Sequence, residues 1–240
     1  MTRDDDPADS ADRRATLIAK LGAVDARIAA ACDAAGRDRS DVVLVAVTKT
    51  FPASDVRMLA DLGVTDVGES RDQEAAEKVG ACADLSLRWH FVGRVQTNKA
   101  RSVTSYADVV HSVDRRRLVT ALDNAAAAAE RDLDVFVQVS LDGDPTRGGV
   151  VEADLSRLAD AVADTSRLRL LGLMAIAPLE TDPRQAFDRL AELADRTRID
   201  HPEAQWLSAG MSGDLEAAIA AGATHVRVGT GILGYRPVLG

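Results

Sequence analysis

Lys49 follows the apolar run "VVLVAV" at 42–47. Its amine can act as a nucleophile toward a carbonyl, or simply end a strand as a solvated cation. A run of this composition belongs to a strand buried on both faces of a parallel sheet. Side chains alternate along a strand, so Val43, Val45, Val47 and Lys49 share one face. If that face turns into a barrel, the amine stands at the C-terminal mouth, where barrel enzymes carry their chemistry. An amine in an apolar mouth loses part of the solvation that keeps it protonated and becomes the better nucleophile.

A second chemical group lies in "HVRVGTGILG" at 225–234. Val226 and Val228 suit a face packed on helices, which turns His225, Arg227 and Gly229 inward. A guanidinium stays protonated inside a protein and needs a partner. That partner is either an acid such as Glu69 or an acceptor on a ligand. Upstream, "SAGMSGDLEAAIAAG" enters a helix whose first turn holds Ser212, Gly213 and Asp214, leaving backbone N–H groups free for an anion. Gly229 permits close backbone approach and Thr230 offers a hydroxyl. Either loop alone also reads as a tight turn with an ordinary cap. Taken together, an aldehyde for Lys49, a nitrogen acceptor for Arg227 and a phosphate for the two loops describe pyridoxal 5′-phosphate (PLP), with Lys49 forming an imine.

The elements that must position these groups alternate. Eight apolar runs read as strands: 42–47, 64–69, 88–95, 107–113, 134–141, 168–176, 204–210 and 225–234. Amphipathic segments separate them, including "ASDVRMLADLG", "RRRLVTALDNAAAAAERD", "VEADLSRLADAVADTS" and "GDLEAAIAAG". In "TDPRQAFDRLAELADR", Thr181 and Asp182 are cap candidates and Pro183 suits the first turn. Strict strand–helix alternation with hydrophobic strands gives a parallel sheet covered by helices, and eight repeats give a single (β/α)8 TIM-type barrel. An open doubly wound sheet is the alternative, but no GxGxxG follows the first strand. An extra N-terminal helix precedes the barrel, marked by the stripe Leu17, Leu21, Val24, Ile28 and Ala31 and ending near Gly36. The expected organisation is a disordered tail over 1–12 and one cofactor-binding barrel over 13–240.

Composition narrows the partners. The 240 residues carry a net charge of −9, which argues against nucleic acid and anionic membrane surfaces. Cys32 and Cys82 lack metal or disulfide spacing and read as reduced packing residues. With no apolar leader and no membrane-length apolar run, the expected location is the cytoplasm.

The stretches "AVTKTFP", "GES", "WHFVGRVQTNK", "GLMAIAP" and "LSAGMSGDLEAAIAAGATHVRVGTGILG" resemble the pyridoxal phosphate homeostasis proteins, whose barrel is similar to the N-terminal domain of alanine racemase. The resemblance covers nearly the whole chain after the tail. It implies that Lys49 carries the cofactor as an aldimine, that Arg227 faces the pyridine nitrogen, and that Ser212, Gly229 and Thr230 hold the phosphate. It places Asn98, Met174, Ser208 and Met211 near the cofactor. Two positions depart from the family pattern: Ser70 follows Gly68-Glu69 where asparagine is usual, and Arg147 stands where lysine is common.

An arginine beside the pyridine nitrogen disfavours its protonation and weakens the ring as an electron sink. Transamination is thereby disfavoured and racemisation stays open, but racemisation needs a second acid–base group opposite Lys49. Alanine racemases, by the resemblance, bring a tyrosine from a second, all-β domain, and the sequence ends six residues after Gly234. Tyr106 falls before the fourth strand, Tyr235 follows the eighth, and His90 reads as a core histidine. The expectation is a protein that holds and buffers or supplies PLP without efficient catalysis, exchanging it with apoenzymes or free amino acids. A weak amino-acid racemase is the alternative, and a cofactor-free Schiff-base aldolase, which would purify colourless, is a third reading.

Overall fold

The computed structural model describes residues 7–144 and 147–235. Helix α1 spans Pro7–Ala34 and precedes eight parallel strands, β1 Val43–Val47, β2 Asp66–Glu69, β3 Arg88–Phe91, β4 Val109–Val113, β5 Leu133–Gln138, β6 Leu168–Met174, β7 Trp206–Ser208 and β8 His225–Val228. They close in sequence order, β8 pairing with β1 through Val45↔Arg227 and Ala46↔Val228. The open-sheet alternative is therefore excluded. Helices α2 Ala53–Asp61, α3 Asp72–Ala81, α4 Ala100–Tyr106, α5 Arg116–Ala128, α6 Glu152–Ala163, α7 Pro183–Asp200 and α8 Leu215–Ala220 return the chain from each strand to the next. A final turn of helix, α9, covers Thr230–Leu233.

Each face of the strands builds a core, the outer one divided into two clusters. Outside, Val42, Ala46, Val67, Val226 and Val228 pack against Leu17, Val24 and Ile28 of α1 and against Leu215 and Ile219 of α8. The α1 stripe thus seals the seam where β8 meets β1. Inside, Val109, Phe136, Leu171 and Met174 fill the barrel. Asp182 caps α7 as its sequence suggests, accepting the Arg184 N–H at 2.9 Å with Pro183 in the first turn.

Boundaries differ from the sequence reading for every strand, and the larger differences have visible causes. Residues 7–12, expected in the tail, are helical, because Arg13 anchors the start of α1 by a bidentate pair to Asp55 at 2.7 and 3.0 Å and lies over the Phe51 ring. Residues 1–6 lie outside the described residues, as do 236–240 at the far end of the expected barrel segment. The eighth run pairs only to Val228, where Gly229 turns the chain into α9. The third stops at Phe91, since the path beyond it presses Gly93 on the Ser70 backbone, where a Cβ would meet the carbonyl oxygen at 2.3 Å.

Candidate functional site at the barrel mouth

The C-terminal end of β1 sets the lysine. Val45 and Val47 face the barrel interior, since a Cβ on Gly68 of β2 would touch Val45 at 3.0 Å and Val47 at 3.3 Å. The strand ends at Val47, however, and a turn closed by the Phe51 N–H on the Thr48 carbonyl carries Lys49 past the rim. Lys49 is exposed and makes no hydrogen bond or ion pair among the described residues. The desolvated amine expected from the run of valines is therefore a correction: two residues of turn separate it from the apolar interior. Thr50 next to it adopts a positive φ of 69°, a conformation a β-branched residue takes only when its surroundings impose it.

Those surroundings are a buried charge cluster that the sequence reading did not single out. Lys78 of α3 is buried, and its ammonium lies 2.7 Å from Glu69, 2.8 Å from Glu74 and 2.7 Å from the Thr48 carbonyl. The Thr48 hydroxyl donates to Glu69 at 2.6 Å, and Glu74 accepts the Thr50 N–H. Both neighbours of Lys49 are thus tied to one ion-paired group. Burial pushes the Glu69 carboxyl above its usual range despite bonds from Lys78 and Thr48; for Glu74, those from Lys78 and the Thr50 N–H outweigh burial and hold it below. A visible signal was the Glu74–Lys78 spacing of four on α3. Removing one partner of a buried pair leaves an uncompensated charge, so Lys78→Met should lower stability by about 3–5 kcal/mol. Urea unfolding would read this directly, and a loss below about 1 kcal/mol would mean that solvent screens the cluster.

Arg227 is buried at the mouth end of β8 and has no carboxylate within ion-pair distance among the described residues. It donates to the Ser208 hydroxyl at 2.5 Å and to the Ala175 carbonyl at 3.0 Å. The proposed pairing with Glu69 is excluded, since Glu69 points outward to Lys78. Burial pulls the guanidinium down to about 10, with Asp214 opposing, so it remains a cation at neutral pH.

The loops after β7 and β8 meet. The Thr230 hydroxyl lies 3.2 Å from the Ser212 hydroxyl oxygen, which also accepts the Gly231 N–H at 3.1 Å. Ser212 is half-buried, Thr230 exposed. A Cβ on Gly229 would sit 3.2 Å from the Val47 carbonyl oxygen, so a bare glycine lets β8 lie against the end of β1. Gly210, at φ 89°, makes the turn out of β7, where a Cβ would meet Ala218 at 2.7 Å. Asp214 closes the same loop by accepting the Met211 N–H.

Lys49 and Arg227 thus sit at the ends of adjacent strands, Ser208 touches Arg227, and Ser212 and Thr230 touch each other. Met174 is buried beside Ser208 in the β6–β7 register and belongs to the interior core. Asn98 lies in a 3₁₀ turn after β3, exposed and unbonded among the described residues, and Met211 is exposed in its loop. The geometry ties neither of these two to the other site residues. Ser70 makes no side-chain hydrogen bond among the described residues; Arg147 pairs with Asp142 and donates to the Ala177 carbonyl at 3.2 Å.

The two tyrosines differ in setting. Tyr106 is buried with its hydroxyl 3.3 Å from Asp72, and burial raises its phenol. Tyr235 is exposed and lines a groove of about 1,090 Å³ together with Lys20, Met58 and the turn residues Thr50 and Phe51. His90, expected as a core histidine, is one. Cys32 and Cys82 are free and buried. No helix among the described residues is long and apolar enough to cross a membrane.

The family described as "Alanine racemase, N-terminal domain" matches residues 20–237. The chain is 48% identical over 244 residues to the pyridoxal phosphate homeostasis protein of Mycobacterium tuberculosis, covering 94% of this chain and 95% of that one. It is 39% identical over 224 residues to the Escherichia coli protein of the same name, covering 90% and 95%. Among solved structures, PipY of Synechococcus elongatus with PLP bound superposes with a TM-score of 0.76 at 36% identity, covering 81% of this chain and 93% of PipY. With a closed barrel, matching coverage at both ends and these identities, the chain belongs to the alanine racemase N-terminal domain family and, within it, to the pyridoxal phosphate homeostasis proteins.

Proposed function

We propose that the chain binds pyridoxal 5′-phosphate reversibly at the barrel mouth and buffers or supplies it in the cytoplasm, without efficient turnover of its own. The observation that carries this reading is Arg227, a buried cation with no carboxylate partner among the described residues, one strand away from an unpaired lysine. Such a cation is costly unless an acceptor arrives. PLP has a phosphate for the Ser212 and Thr230 hydroxyls and the Gly229 backbone, a ring nitrogen for Arg227, and an aldehyde for Lys49. When bound, the cofactor would supply an electrophilic carbonyl, and Lys49 is the amine placed to receive it.

The chain's own residues do the rest. Arg227 offers N–H donors to the ring nitrogen and, being a permanent cation, opposes its protonation. Ser208 fixes one edge of that guanidinium by accepting an N–H at 2.5 Å. Met174, Ser208, Asn98 and Met211 complete the surroundings in this reading. The exposure of Lys49 suits a carrier, since water reaches the amine.

Tyr106, buried with its hydroxyl on Asp72, is withdrawn from acid–base work, which favours a carrier over a racemase and leaves the exposed Tyr235 as the tyrosine a racemase would have to use among the described residues. Exchange of a substrate α-hydrogen with solvent deuterium, lost in Lys49→Ala, would favour the racemase instead. The test of the carrier reading is to add PLP to the cofactor-free chain, follow the visible absorbance of the imine, then add a PLP-dependent apoenzyme. Colour should pass to the apoenzyme as its activity returns; a chain that stays colourless contradicts the reading. Thr230→Val should weaken PLP binding by about 1–3 kcal/mol through one lost bond to a charged phosphate. Equal affinity in a titration would move the phosphate to another loop.

A further inference from the structure

The barrel interior contains a hydrogen-bonded chain of side chains that the proposed binding reaction does not use. Arg227 donates to Ser208 at 2.5 Å, and Ser208 lies 2.8 Å from His111 Nδ1. His111 Nε2 lies 2.8 Å from His90 Nδ1, and His90 Nε2 lies 2.8 Å from Asp66 Oδ1. Ser208 and Arg227 stand near the mouth; Asp66 is the first residue of β2 and pairs with Arg88, the first of β3, at the opposite end of the barrel. The line therefore runs the length of the barrel axis. Every interior member is buried.

Its direction follows from the donor set. An ionised carboxylate only accepts, and hydrogen bonds from His90 and Thr65 outweigh burial to hold Asp66 in that form. His90 Nε2 must then carry a proton. Burial disfavours a second proton on His90, so Nδ1 accepts, which requires His111 to donate from Nε2. Burial keeps His111 neutral as well, with the neighbouring positive groups adding to the effect, so its Nδ1 accepts the Ser208 hydroxyl proton. The Ser208 oxygen is left with its lone pairs toward Arg227.

We propose that Asp66, at the closed end of the barrel, acts as a positioning residue for the cofactor: through fixed Nε2–H tautomers of His90 and His111 it turns the Ser208 hydroxyl into an obligate acceptor that aims the Arg227 guanidinium at the mouth. The ligand it serves is the ring-nitrogen side of PLP, so the functional half of this inference rests on the carrier reading. The chain of tautomers itself does not. With the proton order reversed, Ser208 would receive hydrogen bonds from both His111 and Arg227, and its own proton would need another acceptor. The order set by Asp66 avoids this conflict.

Long-range ¹H–¹⁵N spectra of the imidazoles, on the full chain with and without PLP, read the tautomers directly, and four histidines are few enough to assign by substitution. His90 and His111 should both be neutral Nε2–H forms. In Asp66→Asn, an isosteric change whose amide can donate as well as accept, the His111 ring nitrogens should shift although residue 66 does not touch them. Ser208→Ala cuts the line at its other end: His111 Nδ1 should shift while His90 keeps its Nε2–H, because Asp66 still dictates it. A Nδ1–H or doubly protonated His111 in the parent chain, or His111 resonances unmoved by Asp66→Asn, would overturn the relay. PLP titration of Asp66→Asn should show affinity reduced by roughly tenfold, the scale of one impaired buried hydrogen bond. Unchanged affinity with shifted resonances would refute the positioning role; a parent chain that shows the tautomers but binds no PLP would refute the carrier reading alone.

Discussion

Lys49→Ala should abolish covalent attachment of PLP while leaving the fold intact. The side chain is exposed and makes no hydrogen bond or ion pair among the described residues, so its removal breaks no polar contact in the barrel. Surface truncations of this kind shift stability by less than about 0.5 kcal/mol. The turn around it is held by Thr48, Thr50 and the Lys78 cluster, none of which the substitution touches. On the proposed reading, PLP would keep Arg227, Ser212 and Thr230 as partners and lose only the bond to Lys49. The expected result is a protein with parental thermal unfolding and no imine absorbance, which binds PLP more weakly and releases it on gel filtration. An absorbance that persists would assign the imine to another lysine, with Lys20 in the neighbouring groove the first to examine.

Acid should destabilise the barrel steeply just below neutrality. His90, His111 and His225 are all buried inside it, and burial lowers each of them, His225 to about 3. Above pH 7 these side chains are neutral in both folded and unfolded chains and the effect is absent. As the pH falls through 6.5, the unfolded chain binds protons that the folded chain refuses, so stability drops. Each proton is worth about 1.4 kcal/mol per pH unit, giving a ceiling of about 2 kcal/mol per histidine at pH 5. Glu69, whose folded carboxyl is raised, protonates more readily when folded and returns part of the loss near the acid end. The net expectation is a fall of several kcal/mol, at most about 6, between pH 7.5 and 5, read by urea unfolding at the two values. A flat profile would require at least two of these imidazoles to be charged in the folded barrel, and the tautomer order through His90 and His111 would fail with it.

The sequence carried the barrel because its signals are local and repeated. The outward set Val42, Ala46, Val226 and Val228 and the α1 stripe could be read from periodicity alone, and each falls where alternation puts it. Arg227 was legible for the same reason: it lies between two outward valines on a short strand. What failed was the environment of Lys49. Counting alternate residues carries a side chain along a strand but says nothing of where pairing stops, and here it stops at Val47. The positive φ of Thr50 and the cluster behind it depend on α3, which comes from outside the motif. The buried ammonium that the apolar run seemed to require does exist, as Lys78.

His111 was missed for a different reason. It lies on the same face of β4 as the inward Val109, and that position already marks it as interior. Its importance comes from Ser208, His90 and Asp66, which belong to three other strands. Only closure of the barrel brings these residues into line. The same holds for Ser212 and Thr230: each loop taken singly is an ordinary turn, and their contact at 3.2 Å is a property of the fold.

The central claim, an imine between Lys49 and pyridoxal 5′-phosphate at the mouth of this barrel, is tested most directly by borohydride reduction of the PLP-loaded chain followed by peptide mass mapping. Reduction converts the imine to a stable amine and fixes the cofactor where it was attached. The account expects one phosphopyridoxyl group per chain, on the peptide containing Lys49. A label on Lys78, Lys99 or any other lysine, or no label at all, would contradict it.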